Sequence, residues 1–471
     1  MLIRSALLLA FAFSLPAEDW LQFRGPNASG ISHNTNLPVE FGPKKNVVWK
    51  TPLPPGHSSP ILAGDRIFVT AFEGEKLLTF CLDRATGKVL WRREAPRPRT
   101  QELHKANSPA STSPVSDGKN VFVFFTDFGV ISYGPDGNER WRAPLGPFNN
   151  PFGMGASPIL AGDTLLQSCD AESGSFFIAF DKNTGKVKWR VERPDYSRGF
   201  STPIQYNPPS GPRQVLLAGS YQLTSYDVET GKEVWWYRRL TWQLKPTPIL
   251  GKDALYILGW AGGSDTGQQE NIPNFEEVLK LWDSNRDGKL ARTEVPDPKI
   301  TKDWRATDLD DDGVLGPRDW KLYQSRRSVQ NAFQAIRLGN GPKGDITESG
   351  MIWQYTKSLP NVPSPLLYQD VLYLMKEGGI LTTIDPKDGS VIKQGRLQGA
   401  LSPYFASPLG ADGKVYVISE AGNVVVVKAG REWEVLAVND MDDECRATPA
   451  IADGKIYLRT LGALYCFAKT D

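Results

Sequence analysis

Ala179-Phe180-Asp181-Lys182-Asn183-Thr184-Gly185-Lys186-Val187-Lys188-Trp189 reads as strand, tight turn, strand, and versions of it recur along the chain. The Asp side chain caps the turn, the Gly supplies its positive φ, and the Trp is a large apolar plate on the second strand. Near copies stand at Cys81 to Trp91 and at Ser225 to Trp235. Degraded copies stand at Ser132 to Trp141 and at Thr383 to Lys393, where Asp385 and Gly389 survive and the Trp is lost. Internal repetition of this kind decides the fold before anything else is read.

A second signature, Ser/Thr-Pro, marks the start of each unit at Pro60, Pro114, Pro158, Pro203, Pro248, Pro365, Pro408 and Pro449. The spacings are 54, 44, 45, 45, 117, 43 and 41 residues, so eight units follow a base period near that of a four-stranded propeller blade. Within blade three the strands are expected at Ser157 to Leu160, Thr164 to Ser168, Phe176 to Asp181 and Lys186 to Val191. Blade eight supplies three strands before the chain ends, and the orphan strand Asn46 to Pro52 completes it, closing the ring without an open edge. The expectation is an all-β, eight-bladed β-propeller with a small α-helical insert. The composition agrees: 44 Gly, 36 Pro and 14 Trp suit a turn-rich all-β chain of 471 residues.

Residues 1–17 read as a secretory signal, with Arg4, an apolar run from Ala6 to Leu15, and then Pro16-Ala17. A periplasmic or secreted location follows, and no Cys stands behind the signal to carry a lipid anchor. No later run is apolar enough to cross a membrane. The 54 basic residues balance 53 acidic ones, so no field favours nucleic acid or an anionic membrane. Cys81, Cys169, Cys445 and Cys466 lie far apart with no metal spacing, leaving one disulfide open but not assignable. Residues 18–45 form an ordered lead-in, 46–260 and 329–471 the propeller, and 261–328 an insert between the second and third strands of blade five. Loops of that class share a face with the starts of the innermost strands, so the insert should overhang the channel mouth.

The insert holds a twelve-residue calcium pattern. Asp283, Asn285 and Asp287 offer hard oxygens, Gly288 makes the sharp turn, Lys289 lends its carbonyl and Glu294 closes the shell. A second loop offers Asp308, Asp310, Asp312, the carbonyl of Val314, and Asp319, whose shorter side chain reaches less easily around an ion. Leu290 and Leu315 occupy the eighth positions, where paired loops share a short β contact. Both loops resemble the EF-hand family over Phe275 to Tyr323, with tight spacing that leaves little helix between them. The bland alternative is a pair of solvated turns. A compact calcium-stapled knob is expected, with calcium in a structural role rather than a catalytic one.

The Asp, Thr-Gly and Trp at fixed offsets resemble the pyrroloquinoline-quinone-like (PQQ-like) repeat family, from Val47 to Lys469. That family includes quinoprotein alcohol and glucose dehydrogenases and a non-enzymatic propeller subunit of the outer-membrane barrel-assembly machinery. The resemblance implies the propeller and says little about activity. The chain has no adjacent Cys pair of the kind that stacks on the quinone in many of those alcohol dehydrogenases, and no Cys-x-x-Cys-His. Three residues before each marker Pro stand His57, Ser111, Gly155, Phe200, Lys245, Val362, Phe405 and Arg446. His57, Lys245 and Arg446 make that ring a candidate for a carboxylate-rich ligand such as PQQ. A water-filled channel is preferred, since no carboxylate base or metal-ligand set accompanies them. His104 reads as a solvated loop residue. No Gly-x-Ser-x-Gly elbow or phosphate loop is present. The expected work is binding a protein or envelope polymer through the propeller loops, with calcium in the insert; the alternative is a PQQ-dependent or other periplasmic oxidoreductase. Calcium gating of the channel mouth is a third possibility. The oligomeric state is open.

Overall fold

A computed structural model describes residues 18–339 and 341–469; the signal segment 1–17 lies outside the described residues. The repeated phrase folds as read. In blade three, Asp181 Oδ1 accepts from the amide and hydroxyl of Thr184, both at 2.9 Å, and Gly185 takes φ +71°. Asp83 with Thr86 and Asp227 with Thr230 repeat that arrangement. Five of the Trp side chains, Trp49, Trp91, Trp141, Trp189 and Trp353, dock on the corresponding turn of the next blade, whereas Trp235 donates to Gln214 Oε1 of its own blade at 2.9 Å. Trp141 Nε1 donates to Lys182 O at 2.9 Å, Trp189 to Val228 O at 2.9 Å, and Trp49 to Arg84 O at 3.2 Å. The turn Gly therefore has a second reason to be there. A Cβ on Gly185 would sit 2.6 Å from the Trp141 ring, and one on Gly87 would sit 2.4 Å from Trp49.

Eight antiparallel sheets surround one axis. Blade three runs Ile159–Ala161, Thr164–Cys169, Phe176–Asp181 and Val187–Glu192 from the inside outward. A register shift recurs beside the Trp position in every blade, as between Ala179 and Phe180 or Val426 and Val427. Such a bulge twists the outer strand and aims the Trp at its neighbour. The ring closes as expected: Val47–Pro52 pairs antiparallel with Ala463–Ala468, placing Trp49 opposite Cys466. The apolar core lies between blades rather than on the axis; one cluster joins Phe177 and Trp189 of blade three to Val215 and Tyr226 of blade four.

Three departures matter. Blade four gains a fifth strand, Gly344–Asp345, which pairs in parallel with its outer strand Glu233–Arg238. In blade six the Trp position holds Lys393, whose Nζ donates to Trp433 O at 2.7 Å, so the indole at that junction comes from blade seven. In blade seven the same position is Ala437. The four cysteines are buried free thiols, so no disulfide forms among them.

The lead-in crosses one face of the ring. Trp20 and Leu62 exchange backbone bonds, Leu21 O accepts from Ser116 N, and Asn27 and Gln205 bond reciprocally. Arg24 Nη2 donates to Pro365 O at 2.7 Å, and Gly30 O accepts from Gly410 N at 2.8 Å. One segment thus touches blades one, two, four, six and seven.

The insert leaves blade five between Ala254–Gly259 and Ala332–Arg337. It contains helices α1 (Phe275–Trp282), α2 (Pro298–Lys302) and α3 (Pro317–Ser328). A capping box of Asn274 and Glu277 starts α1. Val278, Leu290, Leu315, Trp320 and Tyr323 give the insert a core of its own. It docks on the loops of blades three and four opposite the lead-in: Arg318 donates to Pro194 O at 2.7 Å and Glu172 O at 3.1 Å, and Tyr221 Oη donates to Leu322 O at 2.9 Å.

Candidate functional site

The residues before the marker prolines build the axis. Pro holds its predecessor extended, and the freed amide donates to the Ser or Thr hydroxyl of the next blade. Ser59 N bonds Ser113 Oγ, Ser113 N bonds Ser157 Oγ, and Ser157 N bonds Thr202 Oγ1, at 2.9 to 3.1 Å. Thr247 N bonds Ser364 Oγ, Ser364 N bonds Ser407 Oγ, Ser407 N bonds Thr448 Oγ1, and Thr448 N bonds Ser59 Oγ, all at 3.0 Å. This hoop satisfies backbone donors that closure at the axis would otherwise strand. The sequence showed the Ser/Thr-Pro marker but not its purpose.

Above the hoop is an axial cavity of about 540 Å³. All eight residues three places before the marker prolines line it, and Phe23 of the lead-in borders it as well. His57, Lys245 and Arg446 are thereby brought into one cavity, together with His104. Their charge states differ from a simple three-cation ring. Burial, with Arg446 and Arg459 nearby, pushes the His57 imidazole down to about 3, so it is neutral. Burial and then Arg198 bring the Lys245 ammonium down to about 7. Its Nζ donates to Gln243 Oε1 and Asn361 Oδ1, each at 2.8 Å, and lies over Trp260 at 5.7 Å. Arg446 pairs with Glu420 at 2.6 Å and stacks over Phe405 at 5.1 Å. Phe152, Phe200, Trp242 and Trp260 add aromatic wall, and no Asp or Glu is among the described lining residues.

Beside the mouth a cleft of about 450 Å³ separates insert from propeller, sharing Phe152, Trp242 and Gly262 with the axial cavity. The buried pair Arg198–Glu172 closes at 2.5 Å, and Arg198 and Arg326 lie over Trp242 at 5.2 and 5.1 Å. From the insert, Gly262 lines the axial cavity, and Asp303, Arg305, Asp308 and Arg326 line the cleft.

The two acidic loops are built alike. Gly288 N donates to Asp283 Oδ2 at 3.0 Å, and Gly313 N donates to Asp308 Oδ2 at 3.0 Å. Both glycines take positive φ, +80° and +87°. The last residue of each loop folds back: Glu294 accepts from Ser284 N at 3.0 Å and Asp319 from Leu309 N at 3.3 Å. Leu290 pairs with Leu315 across a two-stranded ladder. Asn285 bonds Asp287, and Lys289 pairs with Asp312 at 3.4 Å. Carboxylate oxygens of Asp308, Asp310 and Asp312 lie within 4.8 Å of one another. Among the described residues the second loop bonds the propeller, through Asn149 Nδ2 to Leu309 O at 3.0 Å and through Arg318, and the first loop does not.

A family model described as outer membrane protein assembly factor BamB matches residues 42–168, 81–264 and 323–471. The chain belongs to the PQQ-like, BamB-type β-propeller family. The matches leave out residues 265–322, which hold both acidic loops. The outer membrane protein assembly factor BamB of Burkholderia pseudomallei (strain K96243) is 24% identical over 407 residues, covering 82% of this chain and 89% of that one. Among solved structures, BamB from Moraxella catarrhalis aligns with a TM-score of 0.56 at 12% identity, over 90% of this chain and 99% of that one. A europium-containing methanol dehydrogenase aligns at 0.59 and 12% identity, over 96% and 98%. Both likenesses show the BamB-type fold alone. Among the described residues no helix is long and apolar enough to cross a membrane.

Proposed function

We propose that this chain is an exported, calcium-binding propeller scaffold that holds a protein partner through its loops. The relationship to an outer membrane assembly factor over most of both chains carries the scaffold reading, and a periplasmic or secreted location goes with it. Two insert loops with the same internal bonds, joined through Leu290 and Leu315, favour an EF-hand-like pair. Calcium would be held by Asp283, Asn285, Asp287, Glu294 and the carbonyl of Lys289, and by Asp308, Asp310, Asp312, Asp319 and the carbonyl of Val314. Its work there is to order the insert by binding only the folded form.

The second reading is an oxidoreductase using PQQ in the axial cavity. Aromatic walls with Lys245 and Arg446 fit the binding of a flat, carboxylated ring. The same lining offers no carboxylate to accept a proton or hold a metal beside that ring, and neutral His57 is a weak base near pH 7. The residues favour binding over turnover. Calorimetric titration of the chelator-stripped protein with calcium, then with PQQ at saturating calcium, separates the readings. Calcium heat without quinone heat is the expected result; saturable, stoichiometric quinone binding would move the enzyme reading to first place.

A further inference from the structure

The outer strand of blade seven, Glu434–Asp440, exposes three large apolar side chains, more than any counterpart; Met351–Tyr355 of blade five is also uncharged but exposes Ile352 alone. Val435, Leu436 and Val438 are 42%, 41% and 42% exposed, and no charge stands between Glu434 and Asp440. Blade one carries Arg92, Arg93 and Glu94 on the equivalent strand Val89–Ala95, and blade three carries Lys188, Arg190 and Glu192 on Val187–Glu192. Charges of that kind are how sheet edges are protected from adding another strand. No described strand pairs with the outer side of Glu434–Asp440. The lead-in reaches only its far end, where Asn439 Nδ2 donates to Val39 O at 2.9 Å and Phe41 N to Asn439 Oδ1 at 3.0 Å. Ala437 at the Trp position leaves this strand without a plate to dock on blade eight.

The same molecule shows what a blade edge of this fold accepts. Gly344–Asp345 adds to the outer strand of blade four, with Ile346 N donating to Trp236 O at 2.9 Å and Arg238 pairing with Asp345 at 2.5 Å. Main-chain bonds supply the attachment, and an opposite charge at the end fixes the register. A second copy is a poor occupant for blade seven. A two-fold antiparallel pairing centred on Ala437 puts Glu434 of each copy opposite Asp440 of the other, and like charges directly opposite destabilise. Glu432 and Asp442 extend the same sign beyond both ends.

We propose that the edge Glu434–Val438 takes an extended strand from a partner protein, apolar in alternation and flanked by Lys or Arg. The inference deepens the scaffold reading and rests on it. The probe is a fluorescein-labelled peptide, Lys-Lys-Val-Thr-Val-Thr-Val-Lys-Lys, titrated against the full chain by anisotropy. Binding should be saturable and fall about tenfold in Val435→Lys with Val438→Lys, through lost apolar contact and added like charge. Both positions are exposed, and far-ultraviolet circular dichroism checks that the blades persist. A Pro at the central Val of the peptide should abolish binding, because it removes a ladder donor; equal binding of that peptide would mean charge adsorption and overturn the proposal. Equal binding by the double variant, or none by the wild type, overturns it as well. A wild-type dimer that the double variant converts to monomer would assign the edge to a second copy, contrary to the proposal. Peptide binding alongside stoichiometric quinone uptake would leave the edge standing while the scaffold reading failed; loss of peptide binding without quinone uptake would do the reverse.

Discussion

At the scale of single residues, Gly87 shows two constraints converging on one position. Its φ of +72° is the one the turn needs, and a Cβ there would lie 2.4 Å from the Trp49 ring. Gly64 has a similar φ of +56° and open space around it. Gly64→Ala should therefore cost about 1 kcal/mol from the left-handed conformation alone. Gly87→Ala should cost about 2–4 kcal/mol, since overpacking against the indole adds to that conformational term. Urea midpoints of the two variants check the difference, and equal losses would remove the packing argument. The turn glycines were legible in the sequence; the Trp lying over them was not, because that contact crosses to another blade. Lys245 makes the same point in the cavity. Its place was readable from the marker proline, but its state depends on burial and on Arg198, which only the closed ring brings near it. Burial brings its amine to about 7 in the fold, against about 10.4 when unfolded. Between those values the unfolded chain binds the extra proton, so stability rises with pH across the window. Below about pH 7 the cost of the buried ammonium is fully present. Lys245→Met should flatten the rise between about pH 7 and 10, measured as urea stability against pH. An unchanged profile would mean that this amine stays charged in the fold.

At the scale of elements, the insert was readable by its loops and unreadable by its docking. Aspartates at alternate positions, a glycine at the sixth place and a leucine at the eighth leave a pattern because side-chain type matters at each. Beside the Lys321–Asp195 pair and Arg326 over Trp242, four of the hydrogen bonds that attach the insert to blades three and four end on the carbonyls of Pro194, Glu172, Leu309 and Leu322. Carbonyl acceptors leave no trace in a sequence. The Leu290–Leu315 ladder makes a prediction at this scale. Both side chains are fully buried in the insert's core, so Leu315→Ala should cost about 2–5 kcal/mol locally. Because the ladder ties the loops together, the calcium binding proposed for them should weaken at both. Limited proteolysis should then cut the insert while the propeller stays intact. Loss of affinity at one loop alone would show that the two act separately.

At the scale of the whole molecule, closure is where local chemistry becomes a global property. The eight-unit period and the orphan strand at Val47 announced a ring, and the pairing of Val47–Pro52 with Ala463–Ala468 makes it one. The hoop of Ser and Thr hydroxyls then ties the innermost strands together at seven of the eight junctions. Seven of the blades are continuous in sequence, allowing for the insert in blade five, so their strands stay near one another when an interface loosens. Blade eight alone is assembled from both ends of the chain, and its outer strand is held by pairing, by the lead-in and by Trp49. Trp49→Ala and Trp189→Ala remove the same indole from equivalent interfaces, and each should cost about 3–5 kcal/mol by equilibrium unfolding. Their hydrogen exchange should differ. In Trp49→Ala, the amides of Ala463–Ala468 that face the closing strand should exchange through a local opening, well below the global unfolding energy. In Trp189→Ala, the amides of Phe176–Asp181 should still exchange only with global unfolding, because Val187–Glu192 follows on the same short turn. Matching exchange in the two variants would mean that closure is no weaker than any other seam, and that the lead-in across the opposite face carries the ends as firmly as the chain itself carries the other blades.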